Sequence, residues 1–98
     1  MAASERGLFG TLVVELDPQN ELNVAFAAEL KSKGWSADSS VSNVFTKQFV
    51  HDVSNEEALK IAKADAQAAA VEAEFDVLTP CVFVTSHQSP ESFSVSGV

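Results

Sequence analysis

The sequence predicts an α+β fold in which two helices cover one face of an antiparallel sheet. Three observations support this prediction. Several short segments alternate apolar and polar residues, as strands with one buried face do. Two longer segments repeat apolar residues at helical spacing and carry helix start and stop residues. The segments follow one another in the order β-α-β-β-α-β within 98 residues, a length that suits one domain.

The first strand is predicted over residues 8–16, whose sequence LFGTLVVEL is rich in β-branched and large apolar side chains. Leu12 and Val14 lie on the same face of that strand. The strand should end at Asp17-Pro18, because proline cannot donate to a sheet ladder and restricts the residue before it. We therefore expect Asp17 in the turn that follows a buried strand.

The first helix is predicted over residues 20–33. Asn20 is a suitable N-cap residue, and the last turn contains Lys31 and Lys33, whose charge suits a helix C-terminus. Gly34 follows directly and supplies the left-handed conformation that commonly ends a helix. The start and stop residues thus agree with the helical spacing between them.

The segment 35–53 has the composition of strands, with a possible turn at Ser42-Asn43. Two antiparallel strands are the preferred interpretation, and one long bent strand is the alternative. Either arrangement supplies the middle of the sheet between the two helices.

The second helix, predicted over residues 54–74, has the strongest pattern in the chain. Ser54 and Glu57 have the spacing of a capping box, in which each side chain bonds to the backbone N–H of the other residue. The segment is rich in alanine, which has the highest helix propensity. The small side chains should allow this helix to lie close to the element on which it packs.

The last strand of the core is predicted over residues 75–86, with Pro80 at its start or at a bulge. We expect one domain over residues 1–86, followed by a serine-rich tail at 87–98 that is either an extra edge strand or disordered. Right-handed β-α-β crossovers would place both helices on the same face of the sheet. That arrangement is the ferredoxin-like sandwich.

The stretch TLVVELDP at residues 11–18 resembles the first strand of small ferredoxin-like nucleases of the Cas2 type. It is also similar to the GhoS-like antitoxin endoribonucleases, and the resemblance covers the topology and the residues VVELD. In the Cas2-type pattern, an aspartate at this position meets its counterpart across a dimer and holds a divalent metal. The resemblance therefore implies a Mg²⁺-dependent endoribonuclease with Asp17 as its catalytic and metal-binding residue.

Other residues with chemical potential have simpler structural interpretations. His51-Asp52 and His87 could act as general bases, but histidines at strand ends are more often surface residues. Cys81 lies in the apolar run PCVFV and is expected to be a buried structural thiol. A single cysteine, no signal peptide and no long apolar segment favour a soluble protein of the reducing cytoplasm.

The formal net charge of -8 argues against binding to phosphate backbones without regard to sequence. Much of this charge falls on or beside the second predicted helix. A solvated helix face would account for it, but a negative surface that complements a basic partner is the sharper hypothesis. The residues of that predicted binding surface are Glu56, Glu57, Asp65, Glu72, Glu74 and Asp76.

The preferred hypothesis is a small acidic, non-enzymatic protein-binding module without a cofactor. It would regulate or inhibit a basic, nucleic-acid-handling partner through its acidic surface or free sheet face, and it would form a homodimer. Phage-type anti-CRISPR and anti-restriction proteins have this size and charge, which is an analogy of type. The alternative is the metal-dependent endoribonuclease that uses Asp17 and Mg²⁺.

Overall fold

The computed structural model describes residues 7–38, 41–50 and 52–97, which form four strands and two helices. The elements alternate in the order predicted, so the α+β fold is confirmed. In chain order they are β1 (Leu8–Val14), α1 (Asn23–Ser32), β2 (Ser36–Ala37), β3 (Val44–Phe49), α2 (Asn55–Glu72) and β4 (Cys81–Ser86).

The strands form one antiparallel sheet in the order β2-β3-β1-β4. Leu12, in the central strand β1, lies opposite Phe45 of β3 on one side and Phe83 of β4 on the other. These three residues share the face of the sheet that the helices cover. The order and direction of the strands match the ferredoxin-like layout, with β2 and β4 at the two edges.

The core lies between the helices and this face of the sheet, and aromatic rings fill much of it. The Phe26 and Phe45 rings meet edge to face at 6.0 Å between centroids. Phe75, which follows α2, stacks on Phe26 at 4.9 Å. The largest fully buried side chains are Trp35, Phe26, Phe45, Leu30 and Val14.

Helix α2 begins as the sequence predicts. The Ser54 hydroxyl accepts a hydrogen bond from the Glu57 backbone N–H at 3.1 Å, and the Glu57 carboxylate accepts one from the Ser54 backbone N–H at 3.1 Å. The capping box is therefore complete. Ala58, Ala62 and Ala69 are buried against the rest of the molecule, as small side chains allow.

Helix α1 is shorter at its start than predicted. It begins at Asn23, and the Asn20 side chain accepts a hydrogen bond from the Leu22 N–H at 2.9 Å. Asn20 thus stabilises the turn before the helix instead of capping it. The predicted stop is confirmed, because Gly34 has a φ of 95°.

The region after α1 contains much less strand than predicted, since β2 spans two residues. Trp35 does not start a strand, because its N–H continues the end of α1 by donating to the Leu30 carbonyl at 3.0 Å. Ser36 and Ala37 are both exposed, so burial of apolar surface does not extend the strand. The described part of the tail, 87–97, contains neither helix nor strand.

Candidate functional site

The chain topology brings the ends of several elements together at one end of the sheet. Strand β1 ends and β4 begins there, where the Glu15 N–H donates to the Pro80 carbonyl at 2.9 Å. Helix α2 begins at the opposite end, because Thr85, late in β4, donates its hydroxyl to the Asn55 side-chain carbonyl at 3.1 Å. The C-terminus of α2 therefore lies at the same end as the start of β4.

This end of the described molecule carries exposed carboxylates without lysines among them. Helix α1 also starts here, since the Asn23 side chain donates to the Asp17 carbonyl at 2.7 Å. The lysines of the described residues lie at the other end of α1, within β3 and in the first half of α2. We call this region the acidic end, and its exposed members are Glu15, Asp17, Glu21, Glu72, Glu74 and Asp76.

The structure divides the acidic surface predicted from the sequence. Glu72, Glu74 and Asp76 belong to the acidic end, whereas Glu56 and Glu57 lie in the first turn of α2. A rise of 1.5 Å per residue separates Glu56 from Glu72 by about 24 Å. The exposed side of the helix between them carries lysines. The predicted set is therefore not one continuous patch.

Asp65, the remaining residue of that set, faces the interior instead of the solvent. Its carboxylate accepts a hydrogen bond from the Trp35 indole N–H at 2.8 Å and lies 3.6 Å from the Lys47 ammonium. The Lys47 and Asp65 side chains are only 22% and 19% exposed. Lys47 also donates to the Lys33 carbonyl at 2.8 Å, so this cluster ties α2 to β3 and to the end of α1.

The position of Asp65 could have been predicted from the helical spacing. It lies three residues after Ala62 and four before Ala69, which are both buried on the sheet-facing side of α2. The acidic character of Asp65 favours the surface, whereas its spacing from the two alanines indicates the buried side of α2. An internal partner was therefore to be expected.

Glu57 stabilises the start of α2, and its negative charge contributes to this role. The hydrogen bond from the Ser54 backbone holds the pKa of Glu57 below its ordinary value, and the bond from the Ser54 hydroxyl adds to this effect. A carboxylate in the first turn also suits the positive end of the helix dipole.

Asp17 is exposed in the turn after β1, as expected from the Asp-Pro pair. Its side chain accepts a hydrogen bond from the Gln19 N–H at 3.0 Å, which is the bond of an Asx turn. Over the residues that the structure describes, no three His, Cys, Asp or Glu side chains form a group that could hold a metal ion. The metal-binding role implied by the resemblance stays a prediction.

The remaining reactive residues are dispersed. Cys81 is exposed at the start of β4, so the expectation that it is buried was wrong, although partial burial raises the pKa of its thiol. The His87 ring lies 3.3 Å from the Gly7 carbonyl, and this contact joins the start of the tail to the start of β1. His51, a candidate general base, lies outside the described residues.

An open apolar groove of about 690 Å³ runs between α2 and β4. Leu12, Val14 and Phe83 form its floor, and alanines of α2 form one wall. The loop from α2 to β4 closes one end of the groove, and its Leu78 is 99% exposed. Asp76 of the acidic end also lines the groove.

The groove exists because β4 is not covered as the inner strands are. The helix-facing residues Leu12 and Phe45 are buried in β1 and β3, but none of the residues of β4 is buried. The Phe83 ring packs at 6.1 Å from the Trp35 ring and so leans toward the middle of the sheet. The alanines of α2 are too short to fill the space above the start of β4.

The opposite face of the sheet has no charged residue in any of the four described strands. The strand registers place alternate residues of β1, β3 and β4 on this open face. Val82 and Val84 are 62% and 55% exposed there. The other residues of the open face are Phe9, Thr11, Val13, Ser36, Val44, Thr46, Gln48 and Ser86.

Comparisons of the chain with protein-family models, curated proteins and solved structures found no match. In the residues that the structure describes, neither helix is long and apolar enough to cross a membrane. The groove was not predicted from the sequence, and of the acidic end only Glu72, Glu74 and Asp76 were assigned to a binding surface. The apolar pair Val77-Leu78 before Pro80 was the sequence signal from which the groove could have been found.

Proposed function

We propose that the protein is a non-enzymatic protein-binding module that regulates or inhibits a partner with a basic surface. The observation that carries this proposal is the acidic end, where six exposed carboxylates lie at one end of the sheet and the described lysines lie elsewhere. Segregated charge of this kind speeds the encounter with a surface of opposite sign and disfavours partners of like sign.

A nucleic-acid-handling protein is the class of partner that best suits this charge. Such proteins present lysine and arginine side chains to phosphates. The carboxylates of the acidic end could bind to the same basic side chains and so compete with nucleic acid. Such competition would inhibit the partner, and the proposal places the protein in the functional class of anti-CRISPR or anti-restriction inhibitors, at work in the cytoplasm.

The open face of the sheet supports a second part of the proposal, which is a homodimer. Two chains with a formal charge of -8 repel each other, and this repulsion is smallest where neither presents a charge. The open face meets that condition and exposes valine side chains that a second copy would cover.

Charge reversal at the acidic end tests the proposed function. The triple variant Glu15→Lys, Glu72→Lys and Asp76→Lys removes carboxylates that no hydrogen bond or ion pair among the described residues employs. We expect the association rate with a partner captured by the wild-type protein to fall roughly tenfold or more at low salt. The partner is identified by mass spectrometry after capture from the source cells, and its association kinetics are measured by biolayer interferometry.

A matched control separates the location of the charge from its amount. Asp52→Lys and Glu56→Lys lie where β3 ends and α2 begins, at the opposite end of the sheet, and Glu91→Lys lies in the tail after β4. The three changes alter the net charge equally, and this variant should keep most of the association rate. Equal slowing in both triple variants would show that net charge alone governs binding. An unchanged rate in the first variant would refute the proposed role of the acidic end.

A further inference from the structure

On the helix-covered face of the sheet, the two helices leave the edge strand β4 uncovered. The apolar helix-facing residues of β1 and β3 are buried, whereas on β4 Cys81 is exposed and Phe83 is half-buried. On α2, Leu59 and Val71 line the same groove and are also exposed. The apolar surface therefore continues from the sheet onto the side of the helix.

The dimensions of the groove suit an additional helix. Helices pack with their axes about 8–10 Å apart, so a helix beside α2 would lie over β4. The residues of α2 that line the groove run from Leu59 to Val71 and provide a wall about 18 Å long. Apolar side chains on one face of the incoming helix would meet the groove floor formed by Leu12, Val14 and Phe83.

Charge complementarity indicates which helix would fit. Two charged residues line the groove: Lys63 lies on its α2 wall, and Asp76 lies where it reaches the acidic end, close in sequence to Glu72 and Glu74. A helix in the groove would therefore bring one of its ends among carboxylates. Lysine or arginine at that end would form ion pairs there, while glutamate or aspartate would be repelled.

We propose that the groove between α2 and β4 binds an amphipathic helix of the partner protein, with basic residues at the end that reaches the acidic end. This inference rests on the proposed function and names the part of the partner that is recognised. The apolar face of the helix supplies contact area, and its basic end fixes its direction in the groove.

Designed peptides test the inference even before the partner is identified. The probe is a fluorescein-labelled helix of leucine and lysine, as long as α2, with leucine on one face and lysine concentrated at one end. A second peptide replaces each leucine by alanine and keeps the charge, and a third replaces each lysine by glutamate. Fluorescence anisotropy measures their affinities for the wild-type protein.

Two variants of α2 show whether the groove is the binding site. Ala66→Leu places a larger side chain in the groove, whereas Ala64→Leu makes the same change at an exposed position outside it. We expect wild type and Ala64→Leu to bind the leucine–lysine peptide at least tenfold more tightly than the alanine–lysine peptide. Ala66→Leu should lose this preference while its thermal midpoint stays at or above that of wild type.

The outcomes distinguish this inference from the proposed function. If both lysine peptides bind equally, or if Ala66→Leu keeps the preference, the groove is not the site, although the role of the acidic end can still hold. If the leucine–glutamate peptide binds as tightly as the leucine–lysine peptide, the basic end of the occupant is refuted, while the charge-reversal variant still decides whether the partner is basic. Light scattering that shows a wild-type dimer dissociated by Ala66→Leu would assign the groove to a second copy and overturn the inference.

Discussion

The aromatic packing at the centre of the sheet requires glycine at position 10. A Cβ atom at this position would lie 2.6 Å from the Phe83 ring and 2.8 Å from the Phe49 ring, well inside van der Waals contact. These two rings meet edge to face, with their centroids 6.4 Å apart. Glycine in β1 therefore allows aromatic side chains from both neighbouring strands to meet above it.

Gly10→Ala should consequently destabilise the fold. The added methyl group must displace one of the two rings, and overpacking of this kind costs about 1–3 kcal/mol. The measurement is the free energy of unfolding from urea titration. Gly97→Ala is the matched control, since a Cβ there meets no atom within 4 Å and should leave stability unchanged. Equal stability of both variants would contradict the packing described for Gly10.

Asp17 and Asp65 differ in how far their contacts can be predicted from the sequence. The Asx turn at Asp17 involves Gln19, two positions away, and was predictable from the Asp-Pro pair. The partners of Asp65 are Trp35 and Lys47, which are distant in sequence and meet only in the folded chain. Charge alone therefore put Asp65 on the wrong side of its helix.

At the scale of the element, the capping box of α2 gives a prediction about pH. Ser54→Ala removes the hydroxyl that accepts the Glu57 N–H, and loss of such a cap typically costs about 1 kcal/mol of stability. The variant should also weaken the interaction that favours the ionised form of Glu57, because the hydroxyl bonds to that carboxylate as well.

The sign of the pH dependence follows from the direction of the pKa shift. The folded-state pKa of Glu57 lies below its ordinary value of 4.5. Its stabilising contribution is therefore fully present above that value and is lost as the pH falls through the folded pKa. We expect the stability difference between wild type and Ser54→Ala to be larger at pH 7 than at pH 3. Urea titration at both pH values measures it, with Ser92→Ala as control. An equal difference at both would exclude a contribution from the bond between the Ser54 hydroxyl and the Glu57 carboxylate.

The elements show which parts of the fold were accessible from the sequence. The capping box and the stop at Gly34 were predicted correctly, because both depend on residues within a few positions of each other. The length of β2 was not, since it depends on Trp35 being drawn into the core. The acidic end required the topology, which alone places the turn after β1 beside the end of α2.

For the whole molecule, the uncharged open face gives a prediction about assembly. Val84→Asp places a carboxylate on that face in the edge strand β4, where a dimer would bury it without a partner. We expect the wild type to be dimeric in light scattering at concentrations where Val84→Asp is monomeric. Analytical ultracentrifugation over a concentration series provides a second measurement.

Val24→Asp is the matched control for this prediction. Val24 is 77% exposed on α1, in the helix layer and away from the open face. The variant should associate as wild type does. A wild type that remains monomeric throughout, or a Val84→Asp variant that still dimerises, would contradict assembly through the open face.

Trp35 is suitably placed for measuring ligand binding by intrinsic fluorescence. It is the single tryptophan of a chain without tyrosine, so the intrinsic fluorescence under indole excitation comes from this one side chain. The Lys47 ammonium lies 5.7 Å from the centre of its ring, and Phe83, part of the groove floor, lies 6.1 Å away. A ligand that displaces Phe83 should therefore change the emission of Trp35. Trp35 fluorescence can therefore follow binding in the groove between α2 and β4 without an added label.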